Sequence, residues 1–78
     1  MRWTDDTIRL DFYIPSGIRA LMELLEKADQ EKDFGVWFNA VDLLDVACKN
    51  ACGAGQITEA QWYLICNKYS LERCLEEE

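Results

Sequence analysis

The residues of this chain best suited to chemistry are its four cysteines. Cys48 and Cys52 stand four apart in DVACKNACGAG (residues 45–55), with Cys66 and Cys74 downstream. One helical turn separates the first two, so they share a helix face. Four thiolates would bind zinc, and two would make a redox pair. The spacing lacks the C-x2-C knuckle of most structural zinc sites, and the chain has no histidine. If the helices flanking Gly53–Gly55 form a hairpin, Cys74 lies about 20 Å along the return path from Cys52, unless the chain bends back at Ser70. No C-x-x-C occurs, and a disulfide at four-residue spacing within a helix is strained. Free cysteine packs as a small hydrophobe. The thiols therefore read as core residues, with no metal ligands and no cofactor site.

Other reaction chemistry is equally thin. Without histidine the commonest general base and every Ser-His or Cys-His dyad are missing. Asp42, Asp45 and Lys49 make a polar cluster, but they fall on one stripe of a helix and read as its solvated face. "GAG" follows a helix instead of linking a strand to one, so it is not a phosphate loop. No catalytic residues are assigned, and the chain is not expected to be an enzyme. A helix-turn-helix reading fails as well. Its second helix, TEAQWYLICNKY, offers one lysine, one glutamate and several large apolar groups, without the basic surround that DNA reading needs.

The elements that carry these residues follow from periodicity. TIRLDFYI (residues 7–14) alternates Ile8, Leu10, Phe12 and Ile14 against Thr7, Arg9, Asp11 and Tyr13, the period of a half-buried strand. Pro15-Ser16-Gly17 ends it. Such a strand folds back on residues 2–4, lies on helices, or pairs with another chain. Over 18–30 the period becomes helical, with Ile18, Leu21, Met22, Leu25 and Ala28 inward and Ser16 as N-cap. A second helix over 34–51 is apolar except along Asn39, Asp42, Asp45 and Lys49, which predicts a central helix surrounded on several sides. Gly53-Ala54-Gly55 stops it. Thr58 and Gln61 form a capping box behind Ile57, opening a third helix over 58–69. Ser70 ends that helix or caps a last short one within an acidic tail, 70–78. The fold class is mainly α: a compact three-helix domain with a short N-terminal extended or β segment (1–15), and one domain over 1–78.

Composition limits the partners. The net charge is −7 from fifteen acids and eight bases, which repels phosphate and disfavours nucleic acid and anionic membranes. A protein with a basic surface is the electrostatic complement. No signal peptide or membrane span is read from the chain, so a cytoplasmic protein with reduced thiols is expected. Trp37-Phe38 and Trp62-Tyr63 point about 100° apart within each pair. A three-helix core cannot easily enclose all four rings, so either the N-terminal segment covers the surplus or an aromatic patch stays open for a partner.

GQITEAQWYLICNKY resembles a pattern found in small proteins of bacterial phages and integrative elements: a glycine turn, Ile-Thr, and a short aromatic helix ending in tyrosine. The resemblance covers the last third of the chain and is chiefly a helix-start signal. It implies an inhibitor or accessory protein of the mobile genome, a setting that includes acidic anti-CRISPR proteins. The expected function is thus a non-enzymatic protein-binding module, an acidic inhibitor acting on a basic nucleic-acid-binding protein. Its candidate partner-binding residues are Glu23, Glu26, Asp29 and Glu31 on the first helix, with Trp37 and Trp62. Alternatives are a structural homo-oligomer, including a strand-paired homodimer, and a small zinc-binding accessory protein.

Overall fold

A helical hairpin organises the chain. In the computed structural model, which describes the backbone of residues 2–76 and all their side chains but those of 73, 74 and 76, four helices follow one another. They are α1 (Ser16–Glu31), α2 (Phe34–Gly53), α3 (Glu59–Lys68) and α4 (Leu71–Glu76). The fold is mainly α. Glu77, Glu78 and the Cys74 side chain lie outside the described residues. A radius of gyration of 11.9 Å matches the roughly 11.5 Å of a globule this long, so residues 2–15 form no projecting arm.

Each helix end has a local cause. α1 starts at Ser16, one residue earlier than a serine cap would set it. Pro15 holds the cap position without a side-chain bond, and its carbonyl accepts the Arg19 N–H at 3.0 Å. The α1–α2 turn places Lys32 in the left-handed region, φ 53°. From there the Lys32 and Asp33 N–H groups close on the carbonyls of Asp29 and Ala28. Asp33 then caps α2, accepting the Val36 N–H at 3.2 Å. At the other end Gly53 is still helical, and Gly55 takes the positive φ of 76° that turns the chain. The predicted capping box is formed: Thr58 N–H donates to Gln61 Oε1 at 2.8 Å, and Gln61 N–H to Thr58 Oγ1 at 3.1 Å. Ser70 Oγ accepts the Glu72 N–H and opens α4.

The inward stripe of α2, Trp37, Ala40, Leu44, Cys48 and Ala51, is the spine of the core. Ile18, Leu25 and Ala28 of α1 meet it from one side and Ile65 and Tyr69 from the other. Trp37 is completely enclosed, with Trp3 edge-on at 5.4 Å and the Tyr69 ring at 6.3 Å.

Residues 7–14 keep the alternation read from the sequence. Ile8, Leu10, Phe12 and Ile14 turn inward to differing depths, and Thr7, Arg9, Asp11 and Tyr13 outward. They form no strand, because helices and not another strand lie beneath them. The one β-type contact among the described residues is an isolated antiparallel bridge between Thr4 and Tyr69. Lys68 Nζ donates to the carbonyls of Asp5 (3.2 Å) and Ile8 (2.8 Å), and the Asp5 N–H donates to the Lys68 carbonyl. A side-chain cation thus does locally what a ladder would do. The strand edge on which a strand-paired homodimer depends is absent from the described residues.

Candidate protein-binding surface

The acidic row expected along α1 breaks up. Asp29 is 1% exposed, because it binds the N-terminal segment. Its carboxylate accepts the backbone N–H groups of Trp3 and Thr4, each at 3.0 Å, and Lys32 Nζ at 2.7 Å. Burial pushes this carboxyl up, but the bonds from Lys32, Trp3 and Thr4 outweigh it and hold the acid well below the ordinary carboxylate range. Glu26 is half-buried, accepting Arg2 Nη2 at 2.8 Å and the Tyr69 hydroxyl at 3.0 Å. Burial, then the neighbouring Glu26 charge, pushes the Tyr69 phenol up. Glu23 and Glu31 are exposed, but eight residues, about 12 Å, part them along the axis, with Lys27 midway. Asp29 and Glu26 belong to the fold's internal latch. They are not a free acidic face.

Of the two candidate tryptophans, Trp37 is wholly inside and unavailable to a partner. Trp62 is half-buried between α2 and α3, and its Nε1–H donates to Asp45 Oδ1 at 3.1 Å. The adjacent aromatic pairs divide as helix geometry requires. Phe38 is 46% exposed beside buried Trp37, and Tyr63 is 69% exposed beside Trp62. The N-terminal segment does not cover them.

α2 is less enclosed than its composition predicts. α1 and α3 occupy two flanks, the short α4 adds a smaller contact, and the outward flank is open among the described residues. There Leu43 (55% exposed) and Val46 (52%) sit one turn apart, with Phe38 farther round. Asp42 and Lys49 share this flank, and Asp45 lies at its α3 edge. The stripe read as purely solvated is therefore mixed apolar and acidic.

Where α2 meets α3, Cys48 and Cys66 come within hydrogen-bonding contact. The sequence pairing of Cys48 with Cys52 missed this, although a hairpin turning at Gly55 brings positions 48 and 66 near one level. Cys66 Sγ also lies 3.7 Å from Asp45 Oδ1. The shared proton raises the Cys48 thiol, with burial adding to the effect, and lowers Cys66, whose sulfur accepts from Cys48. No three His, Cys, Asp or Glu side chains among the described residues come together to hold a metal ion. In the native protein, iodoacetamide is expected to label half-buried Cys66 readily and fully buried Cys48 only on unfolding. Peptide mapping by mass spectrometry checks this, and equal labelling of both would refute it.

No protein-family model matches the chain, nor does any curated protein or solved structure. No helix among the described residues is long and apolar enough to cross a membrane.

Proposed function

We propose that this protein is a non-enzymatic protein-binding module whose contact surface is the outward flank of α2 with the adjoining face of α3. The observation that carries the reading is the exposure of Leu43 and Val46 on the domain's central helix, bordered by Asp42 and Asp45. Apolar residues on an open helix flank gain from burial against a partner, and a surrounding acidic rim selects a basic one and speeds encounter. In its sharper form the module is an acidic, cytoplasmic inhibitor or accessory protein of the mobile genome. Its target is then the basic site of a nucleic-acid-binding protein. The net charge of −7 supports that choice.

The double substitution Leu43→Asp/Val46→Asp is expected to leave the thermal midpoint within a few degrees of wild type, since neither side chain is in the core. It should remove a partner that wild type retains from host extract at low salt. Retention of the same proteins by both forms would sink the assignment of this surface. The same exposed flank also suits a homo-oligomer, the second reading. Sedimentation of wild type as a dimer, and of the double variant as a monomer, would favour that instead.

A further inference from the structure

Between α2 and α3 lies a small cavity, about 220 Å3, lined by Asp45, Glu59, Trp62, Tyr63 and Cys66. The last four are spaced i, i+3, i+4 and i+7, so α3 presents them along one face, and α2 contributes Asp45. Trp62 and Cys66 both address Asp45 Oδ1, which fixes the carboxylate and leaves Oδ2 without a hydrogen bond among the described residues. Glu59 is exposed and forms no ion pair there. Two carboxylates therefore flank two aromatic rings with no cation of the described chain between them.

We propose that this cavity receives a single arginine side chain presented by a protein partner. The proposal rests on the protein-binding reading above and names the chemistry of its anchor. A volume of 220 Å3 is below the roughly 300–1,000 Å3 of small-molecule sites, so it suits one side chain and not a metabolite. The negative faces of indole and phenol attract a cation laid against them. Guanidinium fits better than ammonium for two reasons. It is planar and can stack on the rings, and its five donors can reach carboxylates on both sides, whereas a lysine ammonium is a compact, strongly hydrated point charge. A quaternary ammonium, which needs enclosure by aromatic faces, meets an open site with Tyr63 69% exposed. Lys49 lies one turn along α2 from Asp45 and opposes the incoming charge, so it sets the strength of binding.

The test uses the whole protein, 15N-labelled, titrated with a blocked pentapeptide containing one arginine between glycines. Saturable shifts at millimolar peptide are expected at the Trp62 indole N–H and at the Asp45, Glu59 and Tyr63 amides. The isosteric citrulline peptide should produce none, and the lysine peptide weaker ones. Asp45→Asn should weaken binding about tenfold, and Lys49→Gln should tighten it by about threefold. Both positions are exposed, so the fold survives either change. Shifts spread evenly over the acids of α1, equal response to citrulline, or an unaltered affinity in Asp45→Asn would overturn the proposal. Tighter binding of lysine or tetramethylammonium would overturn the arginine assignment. If the peptide fails while Leu43→Asp/Val46→Asp still abolishes partner capture, the cavity assignment falls and the binding module stands. If the peptide binds and capture is indifferent to that pair, the reverse holds.

Discussion

Trp37→Ala is expected to leave the chain without a cooperative thermal transition. Trp37 has no exposed surface and contacts both Trp3 and Tyr69, so its removal opens a cavity at the junction of α1, α2, α3 and the N-terminal segment. Large-to-small substitutions of buried aromatics cost about 3–5 kcal/mol. A core in a domain of this size rarely supplies more than about 3–5 kcal/mol of net stability. The loss therefore equals the whole reserve. Loss of the near-ultraviolet circular dichroism signal at 25 °C, with a broad melt, is the expected result. A cooperative transition within a few degrees of wild type would show that this ring is not the centre of the core. Trp37→Phe should be much milder, because the Trp37 Nε1–H has no hydrogen-bond partner among the described residues, and an unsatisfied buried donor itself costs about 1–3 kcal/mol. Phe38→Ala, one residue along, should cost less than either.

The second large effect is expected at Asp29. Only an ionised carboxylate accepts from Trp3 N–H, Thr4 N–H and Lys32 Nζ together. Asparagine of the same shape places an NH2 against one of these donors. Breaking a buried charged pair costs about 3–5 kcal/mol. Because Lys32 is itself exposed, the lower figure applies to Asp29→Asn. At about 4–8 °C per kcal/mol the melting point should fall by roughly 12–24 °C. The pH dependence gives an independent check. The folded pKa of Asp29 is depressed, so its contribution is complete above the unfolded value of about 4 and is lost as pH falls towards the folded one. The stability gap between wild type and Asp29→Asn should be constant from pH 5 to 7 and narrow in stronger acid. A gap that widens on acidification would contradict a charged Asp29 in the folded state.

Much of the fold was legible because its signals are local. The capping box at Thr58 and Gln61, the glycine turn, and the inward alternation of Ile8 to Ile14 each depend on neighbours within a few residues. What escaped depends on docking partners distant in sequence. On a helical wheel Asp29 falls on the inward face of α1, four residues after Leu25 and eleven after Ile18, so its spacing marked it as interior although its charge suggested solvent. What no local pattern could supply is its partners, the returning Trp3 and Thr4 N–H groups. The outer flank of α2 was misread for a related reason. Leu43 and Val46 look like core by residue type, but α1, α3 and the short α4 together leave one flank of α2 open. The cavity at Asp45 needs residues from two helices, and no spacing rule within either one announces it.

The docking of residues 3–8 against Lys68 and Tyr69 also has a consequence for synthesis. The bonds from Lys68 to the carbonyls of Asp5 and Ile8 span 63 and 60 positions, whereas α1 and α2 meet through a turn of two residues. Loop closure makes the short-range hairpin the earlier event and the distant bridge the later one. Residues 3–8, made before every helix they dock on, are thus the last to find their places. Until α3 has emerged, Trp3 has its contacts with α1 and α2 but lacks the Lys68–Tyr69 wall that closes over the segment. A chain truncated before residue 68 would leave residues 3–8 open to proteases, and one that includes Lys68 and Tyr69 would close over them.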